Sequence, residues 1–301
     1  MAAPSSQRVL ITGIRGFTGR YLSRALTDAG YDVHGIATRD DAAPACPANE
    51  HVADLLDAAA LRDTIIKLRP DKIVHLAAIS FVAHDSADAI YRTNIVGTRN
   101  LLAAATAVPD RPPQVLLASS ANVYGNADVD PIDEQTPPSP ANDYAVSKLA
   151  MEQMARLWSQ RLPITVVRPF NYTGLGQPLH FLLPKIVDAY RRRAPRLELG
   201  NLDVARDFSD VRDVVDAYVR LLDVAPAGTF NVCSGTAVSL HEILVMATEL
   251  TGHAPEIAVN AAFVRDDEVR RLRGSCDRLQ SVIGSWQTRP LRQTLEWMLA
   301  P

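Results

Sequence analysis

Residues 8–19 read Arg-Val-Leu-Ile-Thr-Gly-Ile-Arg-Gly-Phe-Thr-Gly, a β-branched run that stops at a glycine-rich turn. Gly13, Gly16 and Gly19 stand where a first strand would pass into a first helix. Glycine lets the backbone turn tightly and approach a pyrophosphate, whose charge then lies at the helix N-terminus. The spacing is G-x-x-G-x-x-G rather than G-x-G-x-x-G. Its strand–turn–helix context nevertheless predicts dinucleotide binding, with Arg15 and Phe17 inside the turn.

Downstream of this turn, short apolar runs alternate with segments of helical periodicity. Strands are predicted at 32–36, 72–76, 115–118 and 164–167, and helices up to 29 and at 55–68, 87–107 and 143–160. Short apolar strands separated by helices predict an α/β fold with a doubly wound parallel sheet, the Rossmann arrangement. Beyond residue 169 the alternation loosens. We therefore predict a second, smaller α/β lobe there, with chain crossings between the two lobes.

Composition excludes several other classes of protein. The 301 residues carry 31 basic and 34 acidic side chains, a net charge of −3, which does not favour a protein that binds nucleic-acid backbone. No apolar run approaches the ~20 residues of a membrane span, and the N-terminus has no signal-peptide pattern, which predicts a cytoplasmic protein. The three cysteines lack the spacing of metal ligands, so no metal site is predicted.

The end of the second strand is where such folds read the adenosine ribose. An NAD site places an acidic residue there, whereas this strand ends in Thr38-Arg39. Arg39 and Arg15 can pair with a 2′-phosphate through charge-assisted hydrogen bonds, which predicts NADP(H) as the cofactor. Two aspartates follow directly and keep NAD(H) as the alternative. Asp54-Leu55 stands where an adenine amino group can bind.

A third motif carries acid–base chemistry. Tyr144 and Lys148 are four residues apart on a predicted helix, so a phenol and an ammonium share one face. Lys148 is expected to lower the pKa of Tyr144 towards the working pH. Ser120, at the end of a preceding strand, can orient the same substrate oxygen. Together with the glycine turn, these residues predict a catalytic set.

The chain resembles the extended short-chain dehydrogenase/reductase family over essentially its whole length, through the glycine turn, Ser120 and the Tyr144/Lys148 pair. The resemblance implies that Ser120, Tyr144 and Lys148 catalyse a reaction at a nicotinamide, with Tyr144 and Lys148 also contacting the cofactor. Further cofactor-binding residues implied by the resemblance are Leu76, Ala77 and Ala78 after the HLAA strand end, Asn94 in TNIVGT, and Arg168.

Ordered motifs in the second half look like those of the GDP-mannose dehydratase and GDP-4-keto-6-deoxymannose reductase branch. Arginine forks suit a diphosphate, and a carboxylate can accept hydrogen bonds from ribose hydroxyls. The resemblance implies residues 1–168 as the NADP(H)-binding domain and 169–301 as the nucleotide-sugar lobe. The substrate-binding residues that it implies are Ser80, Asn122, Asn171, Phe181, Lys185, Leu199, Arg206, Arg265 and Glu268. Of these, Asn171, Arg206 and Arg265 would hold the diphosphate, and Glu268 the ribose.

Position 122 separates the two activities of that branch. The dehydratases carry a glutamate two residues after the catalytic Ser/Thr, but this chain has Asn122, and an amide cannot act as a general base. The expected activity is therefore NADPH-dependent reduction of the 4-keto group of GDP-4-keto-6-deoxy-D-mannose. The product would be GDP-D-rhamnose or GDP-6-deoxy-D-talose.

Two other functions are compatible with this fold, and the helices predict an oligomeric state. An NAD-dependent nucleotide-sugar 4-epimerase shares the whole catalytic set and would retain its cofactor. A cofactor-sensing regulatory protein of this fold is disfavoured because the Tyr/Lys pair is intact. The apolar content of helices 87–107 and 143–160 predicts a homodimer through a four-helix bundle, without nucleic-acid or membrane partners.

Overall fold

The computed structural model describes residues 6–38, 49–80, 86–260 and 271–300. The first half contains the following elements in order: β1 (Arg8–Thr12), α1 (Phe17–Asp28), β2 (Asp32–Ala37), β3 (Asn49–Val52), α2 (Ala58–Leu68), β4 (Lys72–His75), α3 (Ala87–Tyr91), a π-helical segment (Arg92–Gly97), α4 (Thr98–Ala105), β5 (Gln114–Ala118), a 3₁₀ turn (Ala121–Tyr124), α5 (Asp143–Arg156) and β6 (Ile164–Pro169).

The second half continues with shorter strands between helices. Its elements are β7 (Asn171–Thr173), α6 (Leu182–Arg191), β8 (Arg196–Leu199), β9 (Ala205–Asp210), α7 (Val211–Val224), β10 (Gly228–Val232), β11 (Ala237–Ser239), α8 (Leu240–Thr251), β12 (Glu256–Val259), β13 (Arg271–Leu272), α9 (Asp277–Ile283) and α10 (Leu291–Leu299).

Over the described ranges, a seven-stranded parallel sheet has the order β10-β6-β5-β4-β1-β2-β3. The order reverses between β1 and β4, and the carboxyl ends of strands at such a switch point form the usual ligand crevice of doubly wound sheets. The predicted fold class is confirmed. Because β10 pairs with β6, the chain returns to the large sheet after its first excursion. The division at residue 168 stays a prediction.

Alternate side chains of the central strand enter two cores on opposite faces of this sheet. Val9 and Ile11 pack on the face covered by α1 and α7, whereas Leu10 packs on the face covered by α2, α4 and α5. This is the two-residue period of a strand buried on both sides. A third core, between α6, α8 and α10, belongs to the smaller lobe. There β7, β9, β11 and β13 form a mixed sheet, and β8 pairs with β12.

Several elements differ from the sequence-based expectation. The predicted helix 55–68 begins at Ala58, because the Asp57 side chain accepts a hydrogen bond from the Ala60 N–H and caps the helix there. The predicted helix 87–107 is interrupted by the π-helical segment. The strands β3, β7, β9 and β11–β13 were not predicted. None of the helices in the described ranges is long and apolar enough to cross a membrane.

Candidate active site

The glycine turn brings the ends of β1 and β4 together. Gly13 has φ of +71°, and a Cβ there would lie 2.9 Å from the backbone N and Cα of Ala77. A Cβ on Gly19 would lie 2.3 Å from the Gly13 carbonyl oxygen. Gly16 precedes α1, has no side chain to cap it and donates its N–H to the Gly13 oxygen at 3.0 Å. The helix N-terminus thus presents bare backbone N–H groups, which fits a cofactor pyrophosphate.

Of the residues expected at the adenosine end, Thr38, Asp54 and Leu55 lie within the described ranges. Thr38 is exposed just after β2, and Arg39 lies outside the described residues. Asp54 is exposed and its carboxylate accepts the Leu56 N–H at 2.8 Å. Leu55 is instead buried and packs against Gly97, so its side chain belongs to the core.

Arg15 has a partner that the sequence did not indicate. Its guanidinium Nη2 lies 2.7 Å, and its Nε 3.1 and 3.3 Å, from the Glu50 carboxylate oxygens. Glu50 is on β3, and both side chains are mostly buried. The predicted pairing of Arg15 with a 2′-phosphate therefore has a competing carboxylate already in place.

Ser120, Tyr144 and Lys148 converge at the carboxyl end of β5. Each is buried, with 8%, 7% and 3% exposure. Lys148 donates from Nζ to the Ala118 carbonyl oxygen at 2.8 Å and lies 5.9 Å from the centre of the Tyr144 ring. Asn142 caps α5 by accepting the Ala145 N–H at 2.9 Å, which sets where the helix begins.

The protonation of the pair differs from the expectation. Burial raises the pKa of Tyr144 well above its ordinary value, and a hydrogen bond with Ser120 opposes this in part. Burial lowers the pKa of Lys148 to about 8, opposed by the nearby Glu152 carboxylate. The Tyr144 pKa is therefore raised, not lowered as expected, and desolvation is the main cause. Tyr144 is held protonated at neutral pH, as a proton donor must be.

A buried polar network lies directly behind these residues. Arg168 donates from Nε and Nη2 to Glu152 at 2.9 and 2.6 Å, and from Nη1 to the Tyr124 hydroxyl at 2.9 Å. Ser119 Oγ donates to Glu152 at 2.5 Å, and Tyr124 in turn donates to Asn231 at 2.7 Å. Arg168 was expected to bind the cofactor. That assignment stays a prediction; in the structure, the Arg168 side chain is buried and donates to partners behind the site.

The Asn94 side chain also binds other protein groups and does not face open space. Its side-chain amide donates to the Ile79 carbonyl oxygen and to Ser147 Oγ, and its oxygen accepts the Ile79 N–H at 3.0 Å. Asn94 lies in the π-helical segment, a distortion that is frequent at functional sites. It therefore joins the loop after β4, which carries Leu76, Ala77 and Ala78, to helix α5.

His75, which the sequence analysis did not assign, links β1 to the same region. Its ring nitrogens lie 2.7 Å from Thr12 Oγ1 and 2.8 Å from Thr98 Oγ1. Burial lowers the pKa of His75 to about 3, so the ring is neutral. It ties the end of β1, where the glycine turn begins, to the start of α4.

Among the described residues, those expected to bind substrate belong to the smaller lobe, except Ser80 and Asn122, which follow β4 and β5. Ser80, Asn122 and Asn171 are exposed, Phe181, Lys185 and Arg206 are half-buried, and Leu199 is buried. Asn171 on β7 and Arg206 on β9 lie on adjacent strands. Leu199 packs in the core of the smaller lobe, so its side chain supports the neighbouring expected substrate residues from inside that lobe. Arg265 and Glu268 lie outside the described residues.

Asp207 organises this lobe and was missed by the sequence analysis. Its buried carboxylate accepts four hydrogen bonds: from Ser234 N at 2.7 Å, Ser234 Oγ at 2.6 Å, Gly235 N at 2.9 Å and Gly274 N at 3.2 Å. It therefore joins the loops after β10 and β13. Its neighbour Arg206 was expected to hold the diphosphate, but nothing in the local sequence distinguishes a carboxylate that binds loops 27 and 67 residues away.

The lobes also contact each other through α1. Tyr172 on β7 lies 2.8 Å from Thr18 Oγ1 through its hydroxyl and stacks on Phe17, with 6.1 Å between ring centres. Phe17, expected at the cofactor, thus has one ring face against the smaller lobe. This contact fixes the start of α1 relative to β7, the strand that carries Asn171.

Fold and site together define a nucleotide-sugar enzyme of the extended short-chain dehydrogenase/reductase type. The family model described as GDP-mannose 4,6 dehydratase matches residues 10–298, and the chain belongs to this family. It is an oxidoreductase.

Two curated relatives match nearly the whole chain. A GDP-6-deoxy-D-talose 4-dehydrogenase from Aggregatibacter actinomycetemcomitans is 34% identical, over 97% of this chain and 96% of the relative. A GDP-6-deoxy-D-mannose reductase from Pseudomonas aeruginosa is 35% identical, over 98% and 97%.

Two solved structures have the same fold throughout. A Burkholderia cenocepacia protein, provisionally described as an epimerase, is 52% identical with a TM-score of 0.92, over 98% of this chain and 97% of that chain. RMD from Pseudomonas aeruginosa complexed with NADPH is 34% identical with a TM-score of 0.84, over 98% of both chains. The predicted cofactor, NADP(H) with NAD(H) as the alternative, agrees with the ligands of such structures, because one neighbour is bound to NADPH and another to NAD.

Proposed function

We propose that the protein reduces the 4-keto group of GDP-4-keto-6-deoxy-D-mannose with NADPH, to GDP-D-rhamnose or GDP-6-deoxy-D-talose. Reaction at position 4 of a GDP-linked 6-deoxy sugar is supported by the names of the two curated relatives. The observation that carries the proposal is a protonated, buried Tyr144 beside Ser120, with the amide of Asn122 exposed next to them. An acid is present for the reduction, and a carboxylate base is lacking at the position used for dehydration.

In this proposal, Tyr144 protonates the oxygen of the substrate carbonyl. When bound, the reduced nicotinamide supplies a hydride, with its two electrons, to the carbonyl carbon. Ser120 donates a hydrogen bond to the same oxygen and orients it. The phenolate left on Tyr144 is stabilised by the neighbouring Lys148 ammonium, which Glu152 helps to keep charged.

The binding residues follow the same division between the lobes. We assign the pyrophosphate of the cofactor to the backbone of Gly13, Gly16 and Gly19, and the sugar-nucleotide diphosphate to Asn171 and Arg206. Arg265 and Glu268 belong to the same proposal on resemblance alone. The first group lies at the switch point of the large sheet, and the second on adjacent strands of the smaller one.

The test offers two substrates to the purified protein. We expect NADPH oxidation with GDP-4-keto-6-deoxymannose and no loss of water from GDP-mannose, followed by absorbance and mass, with NMR to identify the C4 configuration. Tyr144→Phe should lower kcat by ~10²–10⁴-fold, the usual contribution of general acid catalysis. Tyr31→Phe is the matched control. Tyr31 binds Asp223 and directly precedes β2, so it lies at the amino ends of the strands, whereas the site lies at their carboxyl ends. Water loss from GDP-mannose, or full turnover by the Tyr144 variant, contradicts the proposal.

A nucleotide-sugar 4-epimerase is the second candidate, and the provisional description of the Burkholderia cenocepacia structure favours it. That activity interconverts 4-hydroxyl epimers without net consumption of cofactor. Incubating the protein with GDP-D-rhamnose or GDP-6-deoxy-D-talose and no added cofactor separates the two candidates. Epimer formation would select this second activity.

The predicted homodimer belongs to the same proposal. Val96, Val146 and Leu157 on the two helical regions are 45%, 39% and 80% exposed, which supports an apolar seam there. Leu101 and Leu102, in the first of these regions, are fully buried inside the subunit and do not contribute to such a seam. Sedimentation at micromolar concentration should give a dimer, and Leu157→Glu should shift it towards monomer. A monomeric parent protein would contradict this assembly.

A further inference from the structure

The ion pair between Arg15 and Glu50 joins the glycine turn to β3, two parts of the predicted NADP(H)-binding domain that are distant in sequence. Glu50 holds the guanidinium through Nε and Nη2, with a shortest distance of 2.7 Å. The Arg15 side chain is 18% exposed and the Glu50 side chain 15%. At such burial, the carboxylate influences neighbouring charges more strongly than a fully solvated one would.

The sheet register places this pair beside the end of β2. Glu50 on β3 is the partner of Gly35 on β2, so the Glu50 side chain lies on the face of the sheet to which a Cβ on Gly35 would point. A Cβ on Gly35 would lie 2.4 Å from Ile14 Cδ1, so the turn passes directly over that point. Arg15 therefore reaches from the glycine turn across β2 to β3. Doubly wound folds read the adenosine ribose at this end of β2, where an acid suits a 2′-hydroxyl and an arginine suits a 2′-phosphate.

We propose that Glu50 is a specificity-determining residue that narrows the preference for NADPH over NADH. It binds the arginine that a 2′-phosphate would use, and it adds a negative charge that repels the phosphate. NADH has a 2′-hydroxyl, which a carboxylate accepts as a hydrogen-bond donor. The inference rests on the proposed function only in taking a nicotinamide dinucleotide as the ligand.

The experiment measures the Kd of NADPH and of NADH by fluorescence titration, without any sugar substrate. Glu50→Gln keeps the shape and one acceptor oxygen but removes the charge, so the ratio Kd(NADH)/Kd(NADPH) should rise about tenfold, the effect of one charge-assisted hydrogen bond. Arg15→Gln, which removes the guanidinium bound to the Glu50 carboxylate, should lower the ratio below that of the parent protein. Glu249→Gln is the control, because its exposed partner Arg292 lies in the smaller lobe, and its ratio should not change.

Three outcomes separate this inference from the proposed function. A rise for Glu50→Gln with a fall for Arg15→Gln supports the role of Glu50. Binding of both cofactors with a change of less than about threefold in Glu50→Gln overturns that role and leaves the proposed reduction intact. If the parent protein binds neither cofactor, the proposed function and this inference both fail. Thermal unfolding of each variant confirms that the protein titrated is folded.

Discussion

Replacing Glu152 by glutamine removes one charge from the buried ion pair behind the active site and leaves its shape almost unchanged. The Glu152 side chain is 2% exposed and that of Arg168 4%. The Glu152 carboxylate accepts three hydrogen bonds, two from Arg168 at 2.9 and 2.6 Å and one from Ser119 at 2.5 Å. A glutamine side chain offers one oxygen for these three donors, and its NH₂ group opposes one of them.

The expected cost follows from the charge left behind. Arg168 stays protonated, because guanidinium groups do not lose their proton in proteins, and its remaining partner Tyr124 is neutral. Removing one member of a buried ion pair typically costs ~3–5 kcal/mol. An exposed pair is worth ~0–1 kcal/mol, so Glu249→Gln, which breaks the exposed contact with Arg292, is the matched control.

Urea unfolding at pH 7, followed by circular dichroism, measures both variants. The free energy of unfolding should fall several-fold more for Glu152→Gln than for Glu249→Gln. The double variant Glu152→Met with Arg168→Met should recover part of the loss, because no buried charge then lacks a partner and Tyr124 keeps its bond to Asn231. Equal losses of under about 1 kcal/mol in both single variants would refute the reasoning.

Two further predictions concern the pH dependence of stability and the glycine turn. Because burial lowers the pKa of Lys148 to about 8 from 10.5, the unfolded state binds more protons than the folded state between pH of about 8 and 10. The free energy of unfolding should therefore rise across that window, and Lys148→Met should abolish the rise. A Cβ on Gly19 would lie 2.3 Å from the Gly13 oxygen. Gly19→Ala should therefore weaken NADPH binding more than about tenfold in fluorescence titration, whereas Arg24→Ala on the outer face of α1 should not.

The sequence alone was sufficient for the parallel arrangement of the large sheet, apart from its edge strand β3, and for naming a candidate catalytic set. β-Branched runs that end at glycine, and a Tyr and Lys four residues apart on a helix, are local patterns, because strand and helix geometry repeat over two and about four residues. The parallel sheet followed from the alternation of such segments, whereas its strand order, and with it the position of the switch point, came from the structure. Most of the short strands of the smaller lobe, namely β7, β9, β11, β12 and β13, did not follow. With two to six residues each, they carry too little periodicity to be distinguished from loops.

Only the tertiary structure decided what the charged side chains bind. Arg15 and Arg168 both had motifs that suggested cofactor contacts, yet each has a carboxylate partner, Glu50 on another strand and Glu152 on α5. The direction of the Tyr144 pKa likewise depends on burial by segments far away in the chain. Charge pairing and desolvation arise where distant segments pack together, so a motif names the groups present while packing selects their partners and their protonation.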